Sequence, residues 1–543
     1  MKPLPIFIFF LLTPPIVVAQ VTQNTPITVD GKVTQYVQLA ELTVTPQKPP
    51  VPALKYKLTW GFDQRVKNNA AIQYNFASRE LAQMKFDHLA DETRKFEEDY
   101  GRLFTEPKFF KEKKSEHDTF KKMLDALSND APKTAETLRF EASQRYKPMA
   151  YSWFCNKPTS EFPVEYARKF VDQLRSVYRF LETGSRCDYC DWEYHFRGNK
   201  NIFALLLPEV QESRDLSRAL MVKARLEIHD KNYTEAIKTI RVGKTLARHV
   251  GQGCPLFVGH LVGIAIDSQM NECLLELVQK PDAPNLYWTL TAVPGSPFSR
   301  HKAFELEMDV IRLTFPEVAR AMDDPDSLTE NDWKELHRSL IQAIPLICDD
   351  AYPIVETGGP MATLFAGGWG ITAYPKAKQW LASQGKTPEE IENMSVSQAV
   401  GLWSIHRFEI ARDNYLKIVS LPFWQSKEKY ATDRYWDEFE SVTPLDAIVR
   451  LLFPAEAYYH SAICRLEASG DVLRIVEAIR YYAAENDGKL PPTLDAIQSV
   501  PIPQTDPFTG KPYVYRIENG RAVVEYDPGY GIYRTVIEMR NEK

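Results

Sequence analysis

The chain has 543 residues, a formal net charge of -6, 44% hydrophobic and 25% charged residues, the make-up of an ordinary globular protein. Acidic and basic residues are interspersed and no long basic run occurs, which argues against nucleic acid as a partner. The length leaves room for about three domains at the usual ~150 residues each.

Lys2, the uncharged and mostly apolar run Leu4 to Val18, and the modest side chains of Val17-Val18-Ala19 predict a secretory signal over residues 1–19, cleaved between Ala19 and Gln20. An uncleaved anchor is the alternative, but the run is short against the roughly 20 residues of a span and is broken by Pro14-Pro15. No cysteine follows the cleavage site, so a lipid anchor is not expected. The mature chain is therefore expected outside the cytoplasm, in the periplasm or beyond the cell. Residues 20–52, rich in Thr, Val, Gln and Pro, predict a flexible leader, with an edge hairpin about Asp30-Gly31 as the alternative.

From residue 53 to 465 the helical period dominates and predicts an irregular helical bundle. Ala167, Phe170, Val171, Leu174, Val177, Tyr178 and Leu181 form one apolar stripe, and Gly184 stops that helix. Leu216 to Val250 predicts a helical hairpin turning at Asp230-Lys231-Asn232. Leu220, Ala224, Tyr233, Ala236 and Ile240 sit at spacings resembling one tetratricopeptide repeat, without a clean second copy. Leu256 to Ile266 is too short to span a membrane and contains His260, so a buried core helix is expected, and no transmembrane segment in the mature chain. Gly358-Gly359-Pro360 and Gly367-Gly368-Trp369-Gly370 predict a loop-rich break over residues 355–372. A second hairpin follows from Pro375 to Leu402, with Gly385 closing one helix and Thr387-Pro388-Glu389-Glu390 opening the next as a capping box.

Residues 466–543 predict a small α+β module. Val472, Ile475, Val476, Ile479 and Ala483 continue a long helix that starts near Pro454 and ends at Gly488. Asp506-Pro507-Phe508-Thr509-Gly510 has the residue order of a tight turn, and Asn519-Gly520 marks a two-residue hairpin. Such a hairpin pairs Glu518 with Arg521, Ile517 with Ala522 and Tyr515 with Val524. Tyr513, Tyr515, Ile517, Ala522, Val524 and Tyr526 then face the helix, and Val514, Arg516, Glu518, Arg521, Val523 and Glu525 the other side. A third strand over Ile532 to Met539 completes an antiparallel sheet.

The helix, Gly488-Lys489-Leu490-Pro491, the Asp506 to Gly510 turn and the small sheet resemble the globular part of type II secretion major pseudopilins, over roughly the last 75 residues. Pseudopilins tend to carry an acidic calcium-binding loop where this chain offers only Asp527 in Tyr526-Asp527-Pro528-Gly529, so neither calcium nor any other cofactor is expected. Pro52 to Tyr56, Asn69-Ala70-Ala71, Cys190-Asp191-Trp192, Leu207-Pro208, Asn285 to Trp288, Tyr374-Pro375 and Leu421-Pro422 resemble a family of exported bacterial proteins that join a helical body to this terminus. That resemblance implies no particular activity.

Among candidate chemical groups, Cys187-Asp188-Tyr189-Cys190 is the sharpest. The alternatives are a disulfide, including one from Cys155 to either member, unpaired structural thiols, a redox pair, or half of a zinc site with Cys155 or His195. Cys273, Cys348 and Cys464 read as small core residues. His229, His249 and His260 read as caps or core contacts, with His249 near a helix C-terminus where a partly charged imidazole is favoured. No nucleophile elbow, phosphate loop or dinucleotide fingerprint is present. The expectation is a binding or scaffolding protein with protein partners in the cell envelope; the alternative is a thiol-based or hydrolytic enzyme.

Overall fold

The computed structural model describes residues 26–29, 32–83, 164–194, 207–254, 256–293, 298, 300–347, 360–431, 443–452, 454–528 and 532–540. The signal and its cleavage residues Ala19 and Gln20, and also Cys155, Cys348 and His195, lie outside them. In chain order come β1 (Pro26–Val29), β2 (Lys32–Val44), β3 (Val66–Asn69), α1 (Ala70–Gln83), α2 (Val164–Gln173), α3 (Arg175–Ser185) and β4 (Cys187–Tyr189). Then follow α4 (Pro208–His229), α5 (Tyr233–Gly253), α6 (Phe257–Val278), α7 (Tyr287–Thr291), α8 (Arg300–Thr314), α9 (Pro316–Asp323) and α10 (Glu330–Ile347). The remainder is α11 (Pro360–Ser383), α12 (Pro388–Asn393), α13 (Val396–Val419), α14 (Phe423–Ala431), α15 (Pro444–Leu452), α16 (Pro454–Glu485), β5 (Val514–Glu518), β6 (Arg521–Tyr526) and β7 (Ile532–Met539). The protein is mainly helical with a small sheet formed largely by its C-terminal strands.

The hairpin expected from Leu216 to Val250 is α4 and α5, and Lys231 in its turn takes φ 60°. The second hairpin forms in part: its second arm is split at Met394 and Ser395 into α12 and α13, Ser395 capping the latter. Gly385 lies at φ +88°, and Thr387 and Glu390 close a reciprocal capping box ahead of Pro388. The expected break does not form where it can be seen. Residues 360–372 belong to α11, which runs through Gly367-Gly368-Trp369-Gly370 and carries Pro375 inside it. Glycine lowers helix propensity by only about 1 kcal/mol per residue, which tertiary contacts override. Ala373, Ala377 and Leu381 supply such contacts, packing against Ile391, Ala399, Val400 and Trp403.

Two helices hold the cores together. α6 gives Val262, Ile266 and Met270 to the core under α1 to α5, Phe257 and Ile264 to the core shared with α8 to α10, and Val278 to the core under the sheet. None of its residues is exposed; Phe257 to Ile266 is apolar but for His260, and beyond it Asp267 and Glu276 are held by Lys244 and Arg225. α16 begins at Pro454, as read from the sequence, and crosses residue 465 without a break. Its Tyr459 and Ile463 enter the second core, Leu473 the first, and Val472, Ile475, Val476 and Ile479 the core under the sheet.

The sheet itself corrects the sequence reading twice. Its order is β1-β2-β7-β6-β5, with β2 parallel to β7, so it is mixed rather than antiparallel. The parallel strand comes from the expected leader: β1 and β2 pair antiparallel with Val29 opposite Lys32, as the alternative hairpin reading expects, and Leu42 and Val44 are buried in the core. Residues 32–44 are thus sheet, not flexible leader. The physical reason is that the inner strand β7 otherwise exposes a row of unpaired backbone groups, which β2 satisfies.

The C-terminal hairpin takes the expected register, with Glu518 opposite Arg521, Ile517 opposite Ala522 and Tyr515 opposite Val524. Asn519 at φ 51° and Gly520 at φ 76° supply the left-handed turn. Burial departs from the expected faces at three positions, one of them Glu525, which is buried on the polar face between Arg516 and Arg534. Ile517 is 45% exposed because β5 is an edge strand, whereas Val523 on the expected polar face is 1% exposed. Its direct cross-strand neighbours are Arg516 and Val536, so an aliphatic stem and an apolar side chain flank it. Upstream, the Asp506 carboxylate accepts from Phe508 N at 2.9 Å and Thr509 Oγ1 at 2.8 Å, and Gly510 N donates to the Asp506 carbonyl at 2.9 Å. That turn, opened by Asp506-Pro507 and closed by Gly510 at φ +68°, is structural.

A fully buried ion pair fastens the sheet to the helices. Arg480 donates to Glu477 Oε2 at 2.8 Å, to the Thr45 carbonyl at 3.1 Å and to the Ala283 carbonyl at 2.9 Å. Glu477 Oε1 accepts from Leu286 N at 2.9 Å, and Asn285 Nδ2 reaches the carbonyls of Gln47 at 3.0 Å and Glu477 at 2.8 Å. The end of β2, the α6–α7 loop and α16 therefore meet at one polar node.

Candidate functional site

The cysteine pair sits where three elements converge. α1 and α3 approach so closely that a Cβ on Gly184 would lie 2.7 Å from the Tyr74 ring, so only glycine fits there. The chain turns at Arg186 into β4, which pairs parallel with β3 through Val66 opposite Cys187 and Asn69 opposite Tyr189. Asn69 then clamps the following loop, donating to the Asp191 carbonyl at 2.8 Å and accepting from Asp191 N at 2.9 Å.

Cys187 and Cys190 are both buried free thiols. Cys187 Sγ donates to the Thr183 carbonyl at 3.6 Å. Beneath them Tyr74 Oη lies 2.8 Å from His249 Nδ1, and the Tyr74 ring packs against Trp192. His249 Nε2 is buried and makes no hydrogen bond of good geometry, the Cys187 carbonyl being the backbone group that acts on the ring. Sequence reasoning did not bring Tyr74 to this site, because nothing local marks a contact across 175 positions.

The electrostatics of the cluster follow from burial. Burial, reinforced by the Asp188 charge, pushes the Cys187 thiol up, and burial pushes Cys190 well above the ordinary thiol range, with Asp191 and Cys187 adding to it. Tyr74 is pushed up by burial and then by the two cysteines. Burial, then the Arg248 charge, pulls His249 down to about 3, with the Cys187 carbonyl opposing without reversing it. The expected partly charged imidazole is thus corrected: desolvation of a fully buried ring outweighs a helix terminus worth at most ~2 kcal/mol. At neutral pH all four groups are uncharged.

A stability test follows. The folded pKa of His249 lies below the unfolded value of about 6.5, so the unfolded chain binds the extra proton between about 6.5 and 3. Stability from this residue is complete above that window and declines as pH falls through it. Urea unfolding near pH 7.5 and near pH 4.5 is expected to show a loss of roughly 2–3 kcal/mol that His249→Gln lacks.

Over this cluster lies a groove of about 300 Å³ lined by Val66, Asn68, Gln73, Arg179, Glu182, Thr183, Arg186 and Cys187. Glu182 bridges Arg186 at 2.6 Å and Lys238 at 2.9 Å. Arg186 and Arg241 both lie over the Trp60 ring, at 4.7 and 4.3 Å from its centroid. Trp60 Nε1 donates to Ser185 Oγ at 3.0 Å, which fixes the indole.

Comparison with protein-family models, curated proteins and solved structures finds no match to the chain. Among the described residues no group of three or more His, Cys, Asp or Glu side chains is placed to hold a metal ion. No described helix is long and apolar enough to cross a membrane.

Proposed function

We propose that the chain is an exported protein of the cell envelope that binds protein partners through the surface built by α1, β3 and β4, rather than a catalyst. The observation that carries this reading is a set of outward apolar side chains there. Val66, Ile72, Phe76 and Tyr189 are each about half exposed. They lie on adjoining elements, and exposed apolar residues so placed mark a candidate interaction site. The α4–α5 hairpin fits a tetratricopeptide-like binding unit. The run of α16 into Gly488, followed by antiparallel β5, β6 and β7, fits a pseudopilin-like module onto which β2 has been added.

The thiol-enzyme alternative needs a thiolate, and burial disfavours that form at both cysteines. Iodoacetamide near pH 7.5 is expected to label Cys187 and Cys190 in the native protein at least about tenfold more slowly than in urea. Native labelling as fast as that of free cysteine would instead favour the enzyme. The binding reading is tested with the photo-cross-linking residue p-benzoylphenylalanine at position 76, in mature protein mixed with envelope extract. A discrete adduct is expected from position 76 and not from the exposed position 389; absence of an adduct from position 76 overturns the reading.

A further inference from the structure

We infer that the groove between α3 and β3 is an oxyanion site that receives carboxylate side chains of an acidic peptide in a partner protein. The inference rests on the binding reading above and names the partner's chemistry. The groove's volume of about 300 Å³ is at the lower end of ligand-binding cavities. Arg179, Glu182, Thr183 and Arg186 line it from one side of α3 and its C-terminal cap, since positions three, four and seven apart share a helix face. Asn68 and Gln73 add neutral amides from β3 and α1.

Charge around the groove does not balance. Glu182 is already shared between Arg186 and Lys238, and Asp188 faces Arg65 at 3.8 Å. Arg179, Arg241 and Arg248 have no carboxylate within ion-pair distance among the described residues. Arg241 is held over Trp60 beside Arg186, and its Nε is buried without a hydrogen-bond partner. Burial and the neighbouring guanidinium pull Arg241 and Arg248 below the ordinary arginine value, Arg186 acting on the first and Arg65 on the second. Glu182 and Glu235 offset part of the charge on Arg241 without pairing with it, and Glu235 also faces Lys238 at 3.9 Å. Arg179 and Arg186 line the groove with Arg241 close behind Arg186, so an arriving anion meets guanidinium groups that outnumber the carboxylates beside them.

Guanidinium forks suit both carboxylate and phosphate. Glu182 decides between them: a fixed negative charge in the lining repels a dianion more than a monoanion. The apolar neighbours decide for a peptide. Phe76 stacks on Phe180 at 5.5 Å, Arg179 lies against the same Phe180 ring, and Ile72 is one helical turn from Phe76. They offer contact to apolar residues flanking a bound carboxylate.

The test titrates the full chain with a fluorescein-labelled peptide of alternating glutamate and valine, its glutamine counterpart, and inorganic phosphate as competitor, read by fluorescence anisotropy. The glutamate peptide is expected to bind about tenfold or more tightly than the glutamine peptide, and less tightly as salt rises. Arg179→Gln, at an exposed position, is expected to weaken it about fivefold or more with an unchanged unfolding midpoint. No binding, equal binding of the two peptides, unchanged affinity in Arg179→Gln, or displacement by phosphate below the peptide's own concentration would each overturn the carboxylate site. The cross-link at position 76 scores the broader reading separately: an adduct there without glutamate preference leaves that reading standing and removes this one.

Discussion

Replacing Arg480 by alanine is expected to cost about 3–5 kcal/mol of stability, the loss typical when one member of a buried ion pair is removed. The side chain is completely buried, and its guanidinium serves Glu477, Thr45 and Ala283 at once. Without it Glu477 is left as a buried carboxylate with only the Leu286 amide, and two carbonyls lose their donor. Urea unfolding followed by circular dichroism measures the loss. A change under about 1 kcal/mol would mean that the pair is hydrated and that the node contributes little. The cycle with Glu477→Gln adds a sharper expectation, because the second substitution should cost much less once the first is made.

A comparable effect is expected at Phe508. This ring is fully buried in the turn before β5, edge-on to Phe423 of α14 at 5.4 Å and stacked with Tyr526 of β6 at 6.0 Å. Phe508→Ala removes a ring inserted between α14 and the sheet, and a loss of about 3–5 kcal/mol is expected from transfer plus cavity terms. The turn should survive, since Asp506 holds it by bonds to the backbone and to Thr509. Retained secondary structure with a lowered unfolding midpoint is therefore the expected pattern. Loss of the sheet signal at low temperature would show that the ring, not Asp506, sets the turn.

What could be read from the sequence was local. The capping box at Thr387, the α4–α5 turn, the β5–β6 register and the Asp506 turn each depend on residues within a few positions, and each is found. Pairings across long separations were not legible. β2 carries only a weak alternation, and nothing in it names β7 as its partner. Glycines at positions 367, 368 and 370 speak for a break by local propensity, yet α11 continues through them. His249 shows the same limit for the site. Its position near a helix end was visible, but its burial against Tyr74 was not, and burial sets its charge. Several short segments singled out for family resemblance turn out to hold long-range contacts: Asn69 clamps Asp191, and Asn285 joins the Arg480 node. Unusual polar residues in otherwise ordinary helical sequence were the available signal.

The parallel pairing of β2 with β7 has a consequence for the order of folding. Tyr36 lies opposite Ile532 and Val44 opposite Met539, so all the described helices lie between the two paired strands. Until β7 docks, β2 presents an edge whose backbone groups are unsatisfied, a hazard for pairing between neighbouring unfolded chains. Closing the sheet requires a loop that takes in every described helix, a contact of very high order that places this step late and makes it slow.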